Sequence, residues 1–188
     1  MSPQTIFSIV PALVSVVTIT LSYLYNRRVI SQKNSEDEKK EIYKKLNEFF
    51  GPFLALRKKN KMLYDLFALK FKANNPEFRT LTHLLNGNVL EGNEKVLFDE
   101  IILNTEFLEK ILLEKAGLVD SEELRDNYFP KFLAHCNIIK LAYRKQLVGE
   151  NERFKENTFP KGIDECIELQ FNNYKQRLKE LNAVKFLF

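Results

Sequence analysis

Tryptophan is absent from this chain, and four other residue types are scarce: two methionines, two cysteines, two histidines and six glycines among 188 residues. Each shortage removes a class of protein. Two cysteines, Cys136 and Cys166, cannot build a disulfide scaffold, and with neither a CxxC nor an HxxxH pair the chain lacks zinc-ligand spacing. The neighbours His135 and Cys136 point about 100° apart on a helix, so they are poorly placed to hold one ion, even with Asp164, Glu165, Cys166 and Glu168 as completing ligands. The same geometry weighs against a Cys-His nucleophilic pair made by these neighbours; Cys166 with His135 across two packed helices stays open. His83, beside Leu84 and Leu85, reads as a surface or half-buried residue rather than a base. Six glycines and six prolines are too few for a loop-rich all-β design. Gly87 and Gly92 match neither a Walker loop nor a dinucleotide fingerprint, and no strand pattern precedes them. The sequence therefore assigns no catalytic, cofactor-binding or metal-ligating residue.

Charge is also missing locally. From Ile6 to Tyr25 there are twenty consecutive residues without one charged side chain, and a helix of that length spans about 30 Å, the thickness of a bilayer's hydrocarbon core. A helix satisfies its own backbone groups where no water is available, and Ser8, Ser15, Thr18, Thr20 and Ser22 can bond back to the preceding turn. Pro11 is tolerated with a kink. A core helix would be amphipathic rather than apolar all round. A cleaved secretory signal would place its basic residues before the run, whereas here Arg27, Arg28 and Lys33 follow it. The expectation is a single transmembrane helix, residues 1–30 with their basic exit flank, N-terminus outside and the C-terminal bulk cytoplasmic at the cell membrane.

Positive charge gathers behind that stretch. Residues 26–72 hold thirteen Lys and Arg against six Asp and Glu, net +7, while residues 73–188 hold sixteen against nineteen, net −3. A juxtamembrane basic segment is drawn to anionic lipid headgroups by about 1 kcal/mol per residue near the surface. Such a segment has a nearer polyanion than nucleic acid to meet.

The remainder, residues 31–188, is the size of one ordinary domain. Helical periodicity runs through it, giving an all-α class: the anchor followed by a bundle of about four to six helices. Within 35–72, a kinked basic juxtamembrane helix, Ile42, Leu46, Phe49, Phe50 and Phe53 form a stripe opposite Lys39, Lys40, Lys44 and Lys45. Gly51-Pro52 predicts a kink or break, because proline cannot donate to the carbonyl of Glu48. The pattern resumes through Leu56, Leu63, Phe67 and Phe71. In the rest of the bundle, 73–188, Asn75-Pro76 predicts a helix start and Asn86-Gly87 an end. Asn93 predicts the next start, with Val96, Leu97, Ile101, Leu108, Ile111 and Leu112 buried. The further Ile102, Leu103, Phe107 and Leu113 suggest contact on more than one side. Asp120-Ser121 supplies a cap; a short helix before Pro130 and a longer one after it follow, the latter carrying Phe132, Leu133, Cys136, Ile139, Tyr143 and Leu147 and stopping near Gly149. The last helix shows the cleanest stripe: Ile163, Ile167, Phe171, Tyr174, Leu178 and Leu181.

These readings point to a membrane-anchored helical interaction or regulatory module at the inner face of the membrane. Its contacts with lipid or a partner fall to Arg27, Arg28, Arg57, Lys58, Lys59 and Lys61, and to the apolar tail Phe186-Leu187-Phe188. The partner is an unidentified protein or a second copy. One alternative is a membrane-perturbing toxin or defence effector that oligomerises through its span. Another is an enzyme whose site is gathered from several helices.

Overall fold

The structure, a computed structural model, describes the backbone of residues 3–183 and the side chains of residues 14–183. Every regular element among the described residues is helical, with no strand. In chain order these are α1 (Pro3–Lys45), α2 (Gly51–Asn74), α3 (Thr80–Leu85), α4 (Gly92–Lys115), α5 (Phe129–Tyr143), the single turn α6 (Asn151–Phe154) and α7 (Ile163–Ala183). Two π turns, Leu46–Phe50 and Glu123–Tyr128, lead directly into α2 and α5. The all-helical bundle of about six helices agrees with the sequence reading.

The backbone of the expected span Ile6–Tyr25 lies wholly within α1. The side chains of residues 6–13 fall outside the described ones, as does the tail Phe186-Leu187-Phe188. Among the described residues no helix is long and apolar enough to cross a membrane.

Two compact units make up the chain. One combines the stretch through Tyr43 with that from Leu178 onward; its buried side chains include Lys39, Ile42, Leu178 and Leu181. On α1, Val14 through Ile30 are all exposed, and the Thr18 and Thr20 hydroxyls donate to the carbonyls of Val14 and Val16, both at 2.8 Å. These bonds hide the only hydrogen the threonines could offer an apolar surrounding.

The other unit is Lys44–Arg177. At its first π turn the Gly51 N–H bonds to the carbonyl of Leu46, five residues back. The sequence predicted a kink or a break at Gly51-Pro52; the helix is not broken there, because the extra residue in the turn lets it pass on into α2. Proline's missing N–H and its ring are accommodated because the widened turn removes the carbonyl of residue i−4 from its usual place. The second π turn repeats the device. Phe129 N–H bonds to the Leu124 carbonyl, and Pro130 follows.

α2 stops at Asn75, whose extended backbone (φ −147°, ψ 96°) is what a residue before proline is pushed into. The sequence placed a helix start here. Asn75 Oδ1 accepts instead from the Glu77 N–H at 3.1 Å, a side-chain turn, and α3 begins at Thr80. α5 likewise ends at Tyr143, ahead of the predicted Gly149; Lys145 adopts a positive φ of 58° and turns the chain.

α2 and α4 run antiparallel. Phe67 packs on Phe98 at 5.0 Å between ring centroids, Lys70 meets Glu94 at 3.0 Å, and Asn60 donates to the Ile101 carbonyl and Thr105 hydroxyl, both at 3.2 Å. Near this seam Phe71 stacks on Phe78 at 4.5 Å. A second aromatic column joins the first π turn to α5: Phe49 to Phe53 at 5.5 Å, Phe49 to Phe129 at 5.8 Å and Phe53 to Phe132 at 5.9 Å. Fully burying one such ring is worth about 1.5–3 kcal/mol, so these columns hold the unit together.

Candidate functional site

The polar groups that converge most closely surround Arg57, on α2. Its Nε and Nη2 each donate to a different oxygen of Asp164, the second residue of α7, at 2.8 Å. The guanidinium also lies 4.4 Å from the centroid of Phe159 and 5.6 Å from that of Phe132. A planar cation suits both contacts, fork to carboxylate and face to ring. The Arg57 side chain is 13% exposed, so this arginine belongs to the helix packing and not to the free surface.

His135, on α5, closes the same cluster from the other side of Phe159, 5.9 Å between centroids. Its Nδ1 sits 3.0 Å from the Asn157 carbonyl oxygen. A carbonyl only accepts, so Nδ1 carries the proton and Nε2 the lone pair. Burial pushes the imidazole below its ordinary pKa, and the nearby Arg57 charge pushes the same way, against the opposing pull of the Asn157 bond. The ring is neutral at pH 7. Beside it, burial pushes the Cys136 thiol up to about 12, which leaves it protonated and unreactive.

The remaining predicted contact residues are divided among different neighbours. Lys58 reaches Glu168 of α7 at 2.9 Å, while Lys59 reaches Glu100 at 3.5 Å and Asn104 Oδ1 at 3.1 Å on α4. Lys61 is exposed, as are Arg27 and Arg28 on α1. Arg57, Lys58 and Lys59 thus act first as a set of cross-links from α2 to α4 and α7.

A second network was not visible in the sequence. Lys45 is buried, and its Nζ donates to both oxygens of Asp120 at 2.9 and 2.8 Å. The Tyr174 hydroxyl donates to Asp120 Oδ2 at 2.6 Å. Burial alone would raise the Asp120 carboxyl; the Lys45 and Tyr174 hydrogen bonds and the Lys45 charge overcome it and hold the group below the usual carboxylate range. Asp120 was read as part of a helix cap, but it is the Ser121 hydroxyl that accepts from the Leu124 N–H, at 3.3 Å. Nearby, Lys115 and Glu48 pair at 2.8 Å, which lowers the Glu48 carboxyl and raises the Lys115 ammonium.

His83 is half-buried between Phe71 and Phe78, 5.0 and 5.4 Å between centroids, and burial lowers its pKa. Among the described residues no three His, Cys, Asp or Glu side chains are grouped so as to hold a metal ion. The arrangement around Arg57 and Asp120 can orient helices and bury charge in matched pairs. Nothing in its geometry aims a nucleophile at a base.

Compared with protein-family models, with curated proteins and with solved structures, the chain finds no match.

Proposed function

We propose that the chain is a membrane-tethered helical interaction module, held at the bilayer by the first part of α1 and working at its inner face through the helical unit behind it. The observation that carries this reading is the state of α1 from Val14 to Ile30. Ten large apolar or aromatic side chains there, Val14 and Leu24 among them, are 43–68% exposed on every side of the helix. Moving such surface out of water is worth roughly 10 kcal/mol in total, at about 1.5–3 kcal/mol per fully buried aliphatic side chain and about half of that for each one here. A cover of lipid gains that energy.

The residues of the uncharged run whose side chains are described, Val14 to Tyr25, reach about 18 Å at 1.5 Å per residue. The rest of the run, from Ile6, supplies the remaining length in sequence. Tyr23 and Tyr25 at its end, then Arg27 and Arg28, match the order of aromatic belt and basic flank at a cytoplasmic exit. For the unit behind the anchor, binding fits better than catalysis, because its converging charges are matched to one another across helices.

The test is carbonate extraction of membranes from cells expressing the full chain. The wild type is expected in the pellet. Val17→Lys with Leu21→Lys adds about 5–7 kcal/mol to insertion, at about 2.5–3.5 kcal/mol for each central lysine, and is expected in the supernatant. A wild type released by carbonate would refute the tether.

A further inference from the structure

Past Tyr25 the helix α1 continues without interruption to Lys45, and residues 26–34 are exposed. These turns are not uniform around the axis. At about 100° per residue, Asn26, Val29, Ile30 and Lys33 share one stripe, with separations of three, four and seven. Val29 is 43% exposed and Ile30 59%. Lys39 and Ile42, buried side chains of α1 in the same unit, centre about 160° away from that stripe. Arg27 and Arg28 also fall toward the packed side. The stripe therefore faces away from the packing that buries Lys39 and Ile42.

A helix standing upright in a bilayer would leave this stripe in the wrong layers. Val29 and Ile30 would stand about 6 and 7.5 Å beyond Tyr25, and Lys33 about 12 Å beyond it, whereas the headgroup layer is only about 5–8 Å deep. Two apolar side chains would lie among headgroups, with the ammonium out past them. On the reading that the first part of α1 is the tether, we infer that α1 leaves the bilayer leaning toward this stripe, with Val29 and Ile30 at the acyl boundary and the Lys33 ammonium on headgroup phosphates.

The partner of the stripe is thus lipid of the same bilayer. It is continuous with the uncharged run on one helix. Lys33 ends it with a flexible apolar stem and a cation, the kind of side chain that snorkels at such a boundary. The first Asp or Glu after the run is Glu36, so no carboxylate repels phosphate until about 16 Å past Tyr25. The lean is ordinary, since membrane helices tilt by about 20° on average and up to about 40°. At roughly 25°, a side chain about 5 Å from the axis drops about 2 Å on the leaning side and rises as much on the other, while each residue adds only about 1.4 Å of height. Lys33 then lies nearer the bilayer than Ser31, which precedes it by two residues on the opposite flank.

The experiment attaches a nitroxide to one introduced cysteine at a time, at Val29, Ile30, Ser31, Gln32 and Lys33. The full chain carries Cys166→Ser, which leaves only the buried Cys136, and is reconstituted in vesicles of phosphatidylcholine and phosphatidylserine. Access of oxygen, which enriches in the apolar layer, is compared with access of a polar nickel chelate, which stays in water. Labels at Val29, Ile30 and Lys33 are expected to read deeper than those at Ser31 and Gln32, so that depth reverses along the chain. Adding Ile30→Asp is expected to abolish the reversal between Ser31 and Lys33, with far-UV helicity unchanged because Ile30 is exposed. A reversal that survives Ile30→Asp would overturn the role of the stripe. Depth that falls steadily from Val29 to Lys33 would mean an upright helix and overturn the lean. Labels at Val29 and Ile30 shielded from both reagents would be covered by protein, which would also overturn it. Nickel reaching a label at Val17 as readily as one at Lys40 would refute the tether as well; with Val17 open to oxygen and closed to nickel, a failed reversal falls on the lean alone.

Discussion

Replacing Gly51 by alanine should destabilise the protein, against the rule for helix interiors. Glycine in the middle of a helix costs about 1 kcal/mol relative to alanine, so Gly→Ala ordinarily stabilises. Gly51 has helical dihedrals, φ −62° and ψ −57°, which alanine adopts without strain. The obstacle is contact. A Cβ at this position falls 2.8 Å from the Leu46 carbonyl oxygen, the acceptor of the Gly51 N–H itself. Ordinary van der Waals separation is at least ~3.4 Å, so the carbonyl must move and its hydrogen bond must lengthen. The escape into regular α geometry is closed as well, since there the Pro52 ring would meet the Glu48 carbonyl. Overpacking of this kind costs about 1–3 kcal/mol, which exceeds the propensity gain. The assay is urea denaturation followed by far-UV circular dichroism, comparing midpoints at unchanged slope. Ala55→Gly, at an exposed position four residues on, supplies the reference and should lose about 1 kcal/mol as an ordinary helix would. A Gly51→Ala midpoint above wild type would refute the argument that the widened turn is held by a glycine.

Three further outcomes follow from the cluster at Arg57. Arg57→Ala should lower stability by about 2–3 kcal/mol, because it strips Asp164 of two charge-assisted bonds and Phe159 of its stacked cation; Arg57→Lys should recover only part. A midpoint for Arg57→Ala within error of wild type would show the pair to be a surface contact. His135 is neutral when folded, with a pKa below the ordinary 6.5, so the unfolded chain takes up the proton first as pH falls. The stability it contributes is therefore present above about pH 6.5 and lost below it, and His135→Asn should flatten the midpoint's decline between pH 7 and 5. An unchanged decline would assign the effect elsewhere. Cys136, with its thiol pushed up to about 12, should resist iodoacetamide at pH 8 in the folded protein and react only on unfolding, as mass spectrometry of the alkylated peptide would show; rapid labelling under native conditions would contradict its burial.

What local periodicity could reveal, it revealed. Ile42, Leu46, Phe49, Phe50 and Phe53 are buried, and so are Ile163, Ile167, Leu178 and Leu181, because a stripe repeating at three and four has one side to hide. On α4 the same logic held at Ile101, Leu108 and Leu112 and failed at Val96, because apolar residues lie on both sides: Phe98 faces inward and Val96 outward, and only the contacts with Phe67 decide between them. The candidate site was illegible for a different reason. Arg57 and Asp164 stand 107 residues apart, as Lys45 and Asp120 stand 75 apart, and nothing local in either marks the other. Read alone, Arg57–Lys61 was a cationic patch; read with their partners, Arg57, Lys58 and Lys59 are ties that align α2 with α4 and α7. At Gly51-Pro52 the sequence identified the disturbance as a kink or a break, and the structure excludes the break, since a surplus residue answers the same missing hydrogen bond.

A turn that already holds one residue too many changes how the chain tolerates edits in length. Elsewhere in a helix, inserting or deleting a single residue rotates everything downstream by about 100° and turns buried side chains to solvent. Between Leu46 and Phe50 the surplus has already been absorbed, and Asn47 there is exposed. The segment Glu123–Tyr128 offers the same slack ahead of α5. These two places are where single-residue insertions and deletions would be accommodated by widening or narrowing one turn, with Pro52 and Pro130 standing just downstream.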